Sequence, residues 1–152
     1  METKKYWKNV IRGPFYKEVE QGTTGMSIYA HHNEYNSGTT LGYHCIDTDY
    51  QVLETHSHDF PELLCFIGGN PKKFDDFGAE VSIRLGDELE EHIITGTAFV
   101  SIPPGLKHCP LIIKNVTRPI VFLEISTTKE YAQQMGVPVP KADIQTKRRR
   151  KA

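Results

Sequence analysis

Cysteine is scarce in this chain and shows no pairing pattern: Cys45, Cys65 and Cys109 are odd in number and lack any C-x-x-C spacing. A disulfide framework is therefore not expected, and a reducing compartment fits better. Long apolar runs are also missing. Stretches such as Leu63-Leu64-Cys65-Phe66-Ile67 are far too short to span a bilayer. The segment Met1 to Val10 mixes Lys with Trp and Tyr and holds no apolar stretch of the kind a secretory leader needs. These lacks predict a cytoplasmic protein without a membrane span.

An excess of positive charge is missing as well, since the formal net charge is −1. That average conceals two unlike pieces. Residues 141–152 carry Lys141, Lys147, Arg148, Arg149, Arg150 and Lys151 against Asp143, a local charge of +5, which leaves −6 on residues 1–140. An acidic body repels phosphate, so no specific nucleic-acid binding is expected. The tail reads most simply as a solvated basic terminus. With 152 residues and 38% hydrophobic content, the chain can bury the core of one domain and has little room for two.

Helical periodicity is the last thing in short supply. Only Lys129 to Met135 reads as a short helix, stopped by Gly136. What is there instead is a series of short β-type runs, each ended by Gly, Pro, Asn or Asp: Thr40 to Ile46, Tyr50 to His56, Glu62 to Ile67, Ala79 to Leu85, Glu90 to Thr95, Thr97 to Ile102, Lys107 to Lys114 and Pro119 to Ile125. Such a series predicts an all-β antiparallel sandwich or barrel. The chain divides into an irregular N-terminal extension over 1–39 with a short strand near Met26 to His32, a β domain over 40–128, a helix and linker over 129–140, and the basic tail over 141–152.

Seven histidines stand out against this background. In His56-Ser57-His58 the two imidazoles fall on one side of an extended chain, ~6.5–7 Å apart along it, so both can reach one ion. On that pattern Val52, Glu54, His56 and His58 share a face. Glu62 follows a turn, Asp59-Phe60-Pro61, that can return its carboxylate beside them. Imidazole nitrogens with one carboxylate suit first-row divalent metals. His108, just past Pro103-Pro104-Gly105, is the natural further donor, and its strand face also carries Pro110 and Ile112. Any one of these histidines alone would read as an ordinary surface or turn residue. The H-x-H pair, the carboxylate at a fixed offset and the histidine after the P-P-G turn together point to a metal site. His92, beside Glu90 and Glu91, reads as surface, and His31 and His32 lie in the extension.

These segments resemble the two motifs of the cupin superfamily. His56-Ser57-His58-Asp59-Phe60-Pro61-Glu62, followed by Gly68 and Gly69, is similar to the first motif; the stretch from Gly96 through Pro103-Pro104-Gly105 to His108 is similar to the second. The resemblance covers residues 40–126. Tyr50 stands where the first motif usually opens with glycine, and Ile112 where the second usually closes with asparagine. The resemblance implies a jelly-roll β-barrel binding one divalent transition metal, Fe, Mn, Ni, Zn, Co or Cu, through His56, His58, Glu62 and His108.

Cupins use such a centre for dioxygenase, decarboxylase and isomerase chemistry on small organic molecules, and some bind ligands without catalysis. A small-molecule substrate with dioxygenase-like chemistry is the favoured expectation, and a non-catalytic ligand-binding or regulatory domain is the alternative. Leu64 and Phe66 on the face of Glu62, Ile112 on the face of His108, and Phe122 and Glu124 on a further strand are candidates for the pocket wall. Each apolar one would serve equally as barrel core, while an inward Glu124 would need a partner. Cupins commonly pair, so a homodimer sharing an edge strand or the extension is expected.

Overall fold

The computed structural model describes residues 5–6, 9–10, 27–30 and 37–129. Among them the named elements are nine strands: β1 (Ser27–Ala30), β2 (Thr40–Ile46), β3 (Tyr50–Val52), β4 (Glu62–Ile67), β5 (Glu80–Leu85), β6 (Glu90–Ile94), β7 (Ala98–Ile102), β8 (His108–Lys114) and β9 (Ile120–Ser126). They form a five-stranded sheet in the order β1-β2-β9-β4-β7 and a four-stranded sheet in the order β3-β8-β5-β6. Every pairing is antiparallel. This is a cupin-like β-sandwich or barrel, the fold class expected from the short alternating runs. No helix among the described residues is long and apolar enough to cross a membrane. The expected helix over Lys129 to Met135 and the basic tail lie outside the described residues, apart from Lys129 itself.

The strands follow from their composition. Val, Ile, Leu and Phe run consecutively through β4 and β9, and alternate side chains of a strand share one face, so one set of each points inward. Leu64 and Phe66 of β4, Ile120 and Phe122 of β9, Val81 and Ile83 of β5, and Leu111 and Ile113 of β8 are all buried and meet between the sheets. Phe66 and Phe122 lie on neighbouring strands with their rings stacked, 5.0 Å between centroids and 8° between planes. Burying each such side chain contributes roughly 1.5–3 kcal/mol before entropy is counted.

Two local expectations are corrected. The run from Tyr50 leaves the sheet at Val52, and Leu53 and Glu54 are exposed, so Glu54 does not share the buried side of His56 and His58. His56 instead makes an isolated antiparallel bridge to His108. The second correction concerns Ile112. Ile83 pairs with Leu111 and Leu85 with His108, so two residues of β8, Cys109 and Pro110, oppose Arg84 alone. This β-bulge, with Cys109 at φ 74°, shifts the alternation by one residue. His108, Leu111 and Ile113 are consequently buried, while Ile112 is only half-buried and does not share the face of His108.

Candidate metal centre

The centre is built where the chain enters β4 and β8, at one end of the space between the sheets. His56 and His58 sit on the connection from β3, Glu62 opens β4, and His108 opens β8. His56 and His108 exchange both backbone hydrogen bonds: N–H of His56 donates to O of His108 at 3.1 Å, and N–H of His108 donates to O of His56 at 2.9 Å. The Pro103-Pro104-Gly105-Leu106 turn closes with Leu106 N–H donating to Pro103 O at 3.2 Å, and Gly105 takes φ 82°. Proline at the second turn position and glycine at the third are what a type II turn requires. Gly105 N–H then donates to His58 O at 2.8 Å, which ties this turn to the H-x-H segment.

All four candidate ligands are buried, His56 at 5%, His58 at 0%, Glu62 at 4% and His108 at 2% exposure. One side-chain atom each from His58, Glu62 and His108 lies within 4.8 Å of the others, a group that can hold a metal ion. Glu62 Oε2 is 3.0 Å from His58 Nε2 and 3.6 Å from His108 Nε2. Donors about 2.0–2.2 Å from a common ion stand roughly 3–3.5 Å apart, so these separations fit one first-row divalent cation. His56 does not join that tight set. Its ring lies 4.3 Å from the His108 ring and 6.3 Å from the His58 ring, centroid to centroid.

The histidines share an arrangement that spacing alone could not reveal. Nδ1–H of His56 donates to Glu54 O at 3.0 Å, that of His58 to Phe60 O at 2.7 Å, and that of His108 to Leu106 O at 3.0 Å. A carbonyl can only accept, so each contact places the Nδ1 proton and makes Nε2 the ligating nitrogen of the neutral ring. The Phe60 ring also stacks on His58, 4.1 Å between centroids and 2° between planes.

The electrostatics suit a cation. Burial works against a charge on His58, but the hydrogen bond and charge of Glu62 prevail and raise its pKa. Burial likewise disfavours the Glu62 carboxylate, yet the hydrogen bonds from His58 and Ser126 and the histidine charges hold its pKa below the ordinary value. His108 is pushed down to about 4, chiefly by burial, and so presents a neutral imidazole near pH 7. Cys109, next to it, is pushed up to about 12 by burial, then by the charges of Glu124 and Glu62, and is not a thiolate ligand.

Sequence reasoning missed Ser126, a buried residue whose hydroxyl donates to Glu62 Oε1 at 2.8 Å. The pairing of Glu62 with Ser126 across β4 and β9 produces this contact, and nothing near Glu62 in the sequence announces it. Of the proposed wall residues, Leu64, Phe66 and Phe122 are core, and Ile112 lies on the other side of β8. Glu124 is paired with His44 at 3.0 Å. His92 is exposed and contacts Glu90 at 3.0 Å, while His31 and His32 lie outside the described residues.

No protein-family model matches the chain, and no curated protein matches it in sequence. Solved structures do share its fold. One is the oxalate decarboxylase of Bacillus subtilis, studied for its Mn(II) centres, with a TM-score of 0.51 and 17% identity over 78% of this chain. The match spans 28% of the decarboxylase chain. A second is the plu4264 protein of Photorhabdus luminescens, at 0.50 and 20% identity over 80% of this chain and 89% of that one. A third is Peruvianin-I, described as a cysteine peptidase from Thevetia peruviana latex, at 0.56 and 12% identity over 87% of this chain and 79% of that one. At such identities the likeness is one of fold. The chain therefore combines a cupin-like fold with a buried His–Glu–His cluster able to hold a metal ion.

Proposed function

We propose that this chain is a divalent-metal-dependent cupin enzyme acting on a small oxygen-bearing organic substrate, with His56, His58, Glu62 and His108 as ligands and dioxygenase-like chemistry. The observation that carries the reading is the buried convergence of His58, Glu62 and His108, with each histidine ring held by a backbone carbonyl at Nδ1. A bound divalent ion would supply Lewis acidity and, for a redox-active metal, access to oxygen chemistry.

The chain's own residues do the rest. His58 and His108 offer Nε2, Glu62 offers charge, and Ser126 holds the second carboxylate oxygen. His56, which stands outside the tight group, would be the fourth donor from its bridge beside His108. Phe60, stacked on His58, keeps water from that side of the ring. Four protein donors leave positions open on a metal that accepts six, and substrate oxygens would take them. Imidazole with carboxylate suits Fe, Mn, Ni, Zn, Co or Cu, so availability and geometry select the ion.

Oxygen consumption and product analysis on protein loaded separately with Fe(II), Mn, Ni and Zn test the reading. Uptake that needs a redox-active metal and is lost with His108→Ala supports it. Inactivity of every metal form toward a broad panel of small acids, enols and sugars contradicts it.

A further inference from the structure

Away from the metal centre, the inner face of the larger sheet carries one more pair of titratable groups. His44 of β2 and Glu124 of β9 meet at 3.0 Å between Nε2 and Oε2. On β2 the alternate residues Thr40 and Ile46 are buried, and on β9 so are Ile120, Phe122 and Ser126, so His44 and Glu124 share the inward faces. The His44 ring packs 5.5 Å from that of Phe122, which fixes its position.

The register places this pair relative to the ligands. Glu62 stands opposite Ser126, and Leu64 stands opposite Glu124, so Glu124 is the diagonal neighbour of Glu62 on one face. Such neighbours are about 7–8 Å apart. On its other side Glu124 faces Gly42, which has no side chain to fill the space. Glu124 keeps 32% of its side chain exposed and His44 11%, so the carboxylate is the more accessible member of the pair. Among the described residues, its Oε1 accepts no hydrogen bond.

We infer that Glu124, held by His44, is a second substrate-binding station, which selects substrates carrying a hydrogen-bond donor, hydroxyl or ammonium, three to four bonds from their metal-chelating end. The inference rests on the proposed metal-dependent reading of the site. A carboxylate can only accept, so it pairs with a donor and repels a second anion. Dicarboxylates are thereby disfavoured, and hydroxy acids or amino acids of matching length are favoured. His44 is a positioning residue: its bond to Oε2 turns the carboxylate and directs Oε1 toward the ligand.

The test uses the full chain loaded with Mn(II) and four probes of matched length: 4-hydroxybutyrate, 4-aminobutyrate, butyrate and succinate. Binding is followed by calorimetry and by water-proton relaxation of the metal, with metal content measured separately. The hydroxyl and ammonium probes are expected to bind about tenfold or more tighter than butyrate, and succinate no tighter than butyrate. Glu124→Leu should remove both preferences. Glu124→Gln should keep the hydroxyl preference, lose the ammonium preference and relax the rejection of succinate. His44→Ala should weaken the hydroxyl and ammonium probes and leave butyrate unchanged. Metal content should be equal in all forms. Full metal content with no difference among the probes, or with succinate the tightest, overturns the inference alone. Failure of the unaltered protein to take up metal overturns the proposed function, and this inference with it.

Discussion

Ser126 donates its hydroxyl hydrogen to Oε1 of Glu62 across 2.8 Å, from a position 64 residues further along the chain. The bond leaves Oε2 facing His58 and His108, and both partners are buried. The end of β9 therefore aims the one carboxylate of the cluster. Groups that orient a ligand in this way are typically worth 10–100-fold in metal affinity. Ser126→Ala should accordingly weaken binding by about that factor while the circular dichroism spectrum is retained. Titration against a competing chelator measures it, and an unchanged dissociation constant would show that Glu62 is aimed by other means.

Metal binding should depend on pH with a definite sign. The hydrogen bond and charge of Glu62 outweigh burial and raise the pKa of His58, so His58 holds its proton to higher pH than an ordinary histidine. A cation taking Nε2 must displace that proton. Below the raised pKa, apparent affinity should fall about tenfold for each unit of acidification, and above it the profile should level. His108, pushed down to about 4, adds a second proton to this competition only in stronger acid. Dissociation constants measured from mildly acidic to mildly alkaline buffer decide this, and a flat profile would exclude His58 as a ligand.

Phe66 and Phe122 stack at the centre of the sandwich, and Phe66 is fully buried. Phe66→Ala should cost about 3–5 kcal/mol of folding stability, the usual range for removing a buried aromatic ring. Urea unfolding followed by fluorescence provides the comparison. A loss below about 1 kcal/mol, near the scale of a surface substitution, would mean that the core does not depend on this stack.

Gly105 occupies φ 82° in the turn before His108 and has nothing within 4 Å of where a Cβ would stand, so conformation and not space requires glycine there. Gly105→Ala should cost about 1 kcal/mol from the left-handed backbone alone. Its N–H bonds to the His58 carbonyl at 2.8 Å, so metal affinity should fall together with the thermal midpoint. A variant that loses stability and keeps full affinity would separate the turn from the centre.

Much of this was legible in the sequence because strands and turns are local. The runs Thr40 to Ile46 and Glu62 to Ile67 coincide with β2 and β4, which Gly38 and Asp47, and Pro61 and Gly68, bound in the sequence. His58, Glu62 and His108 were recognisable because their turns carry the prolines and the glycine that bring them round. What could not be read is set by pairing across the sheets. The bulge at Cys109 and Pro110 reverses the face of Ile112, and it exists only relative to Arg84 on β5. The roles of Ser126 and of the His44–Glu124 pair likewise depend on register between β9 and its neighbours. Alternation within β9 gives the faces but names no partner.

Elemental analysis of the full chain, purified without a polyhistidine tag, tests the metal centre most directly, with His58→Ala, Glu62→Gln and His108→Ala compared under identical conditions. The account predicts about one divalent transition-metal ion per chain in the unaltered protein and its loss in each folded variant. Undiminished metal content in all three variants would contradict it.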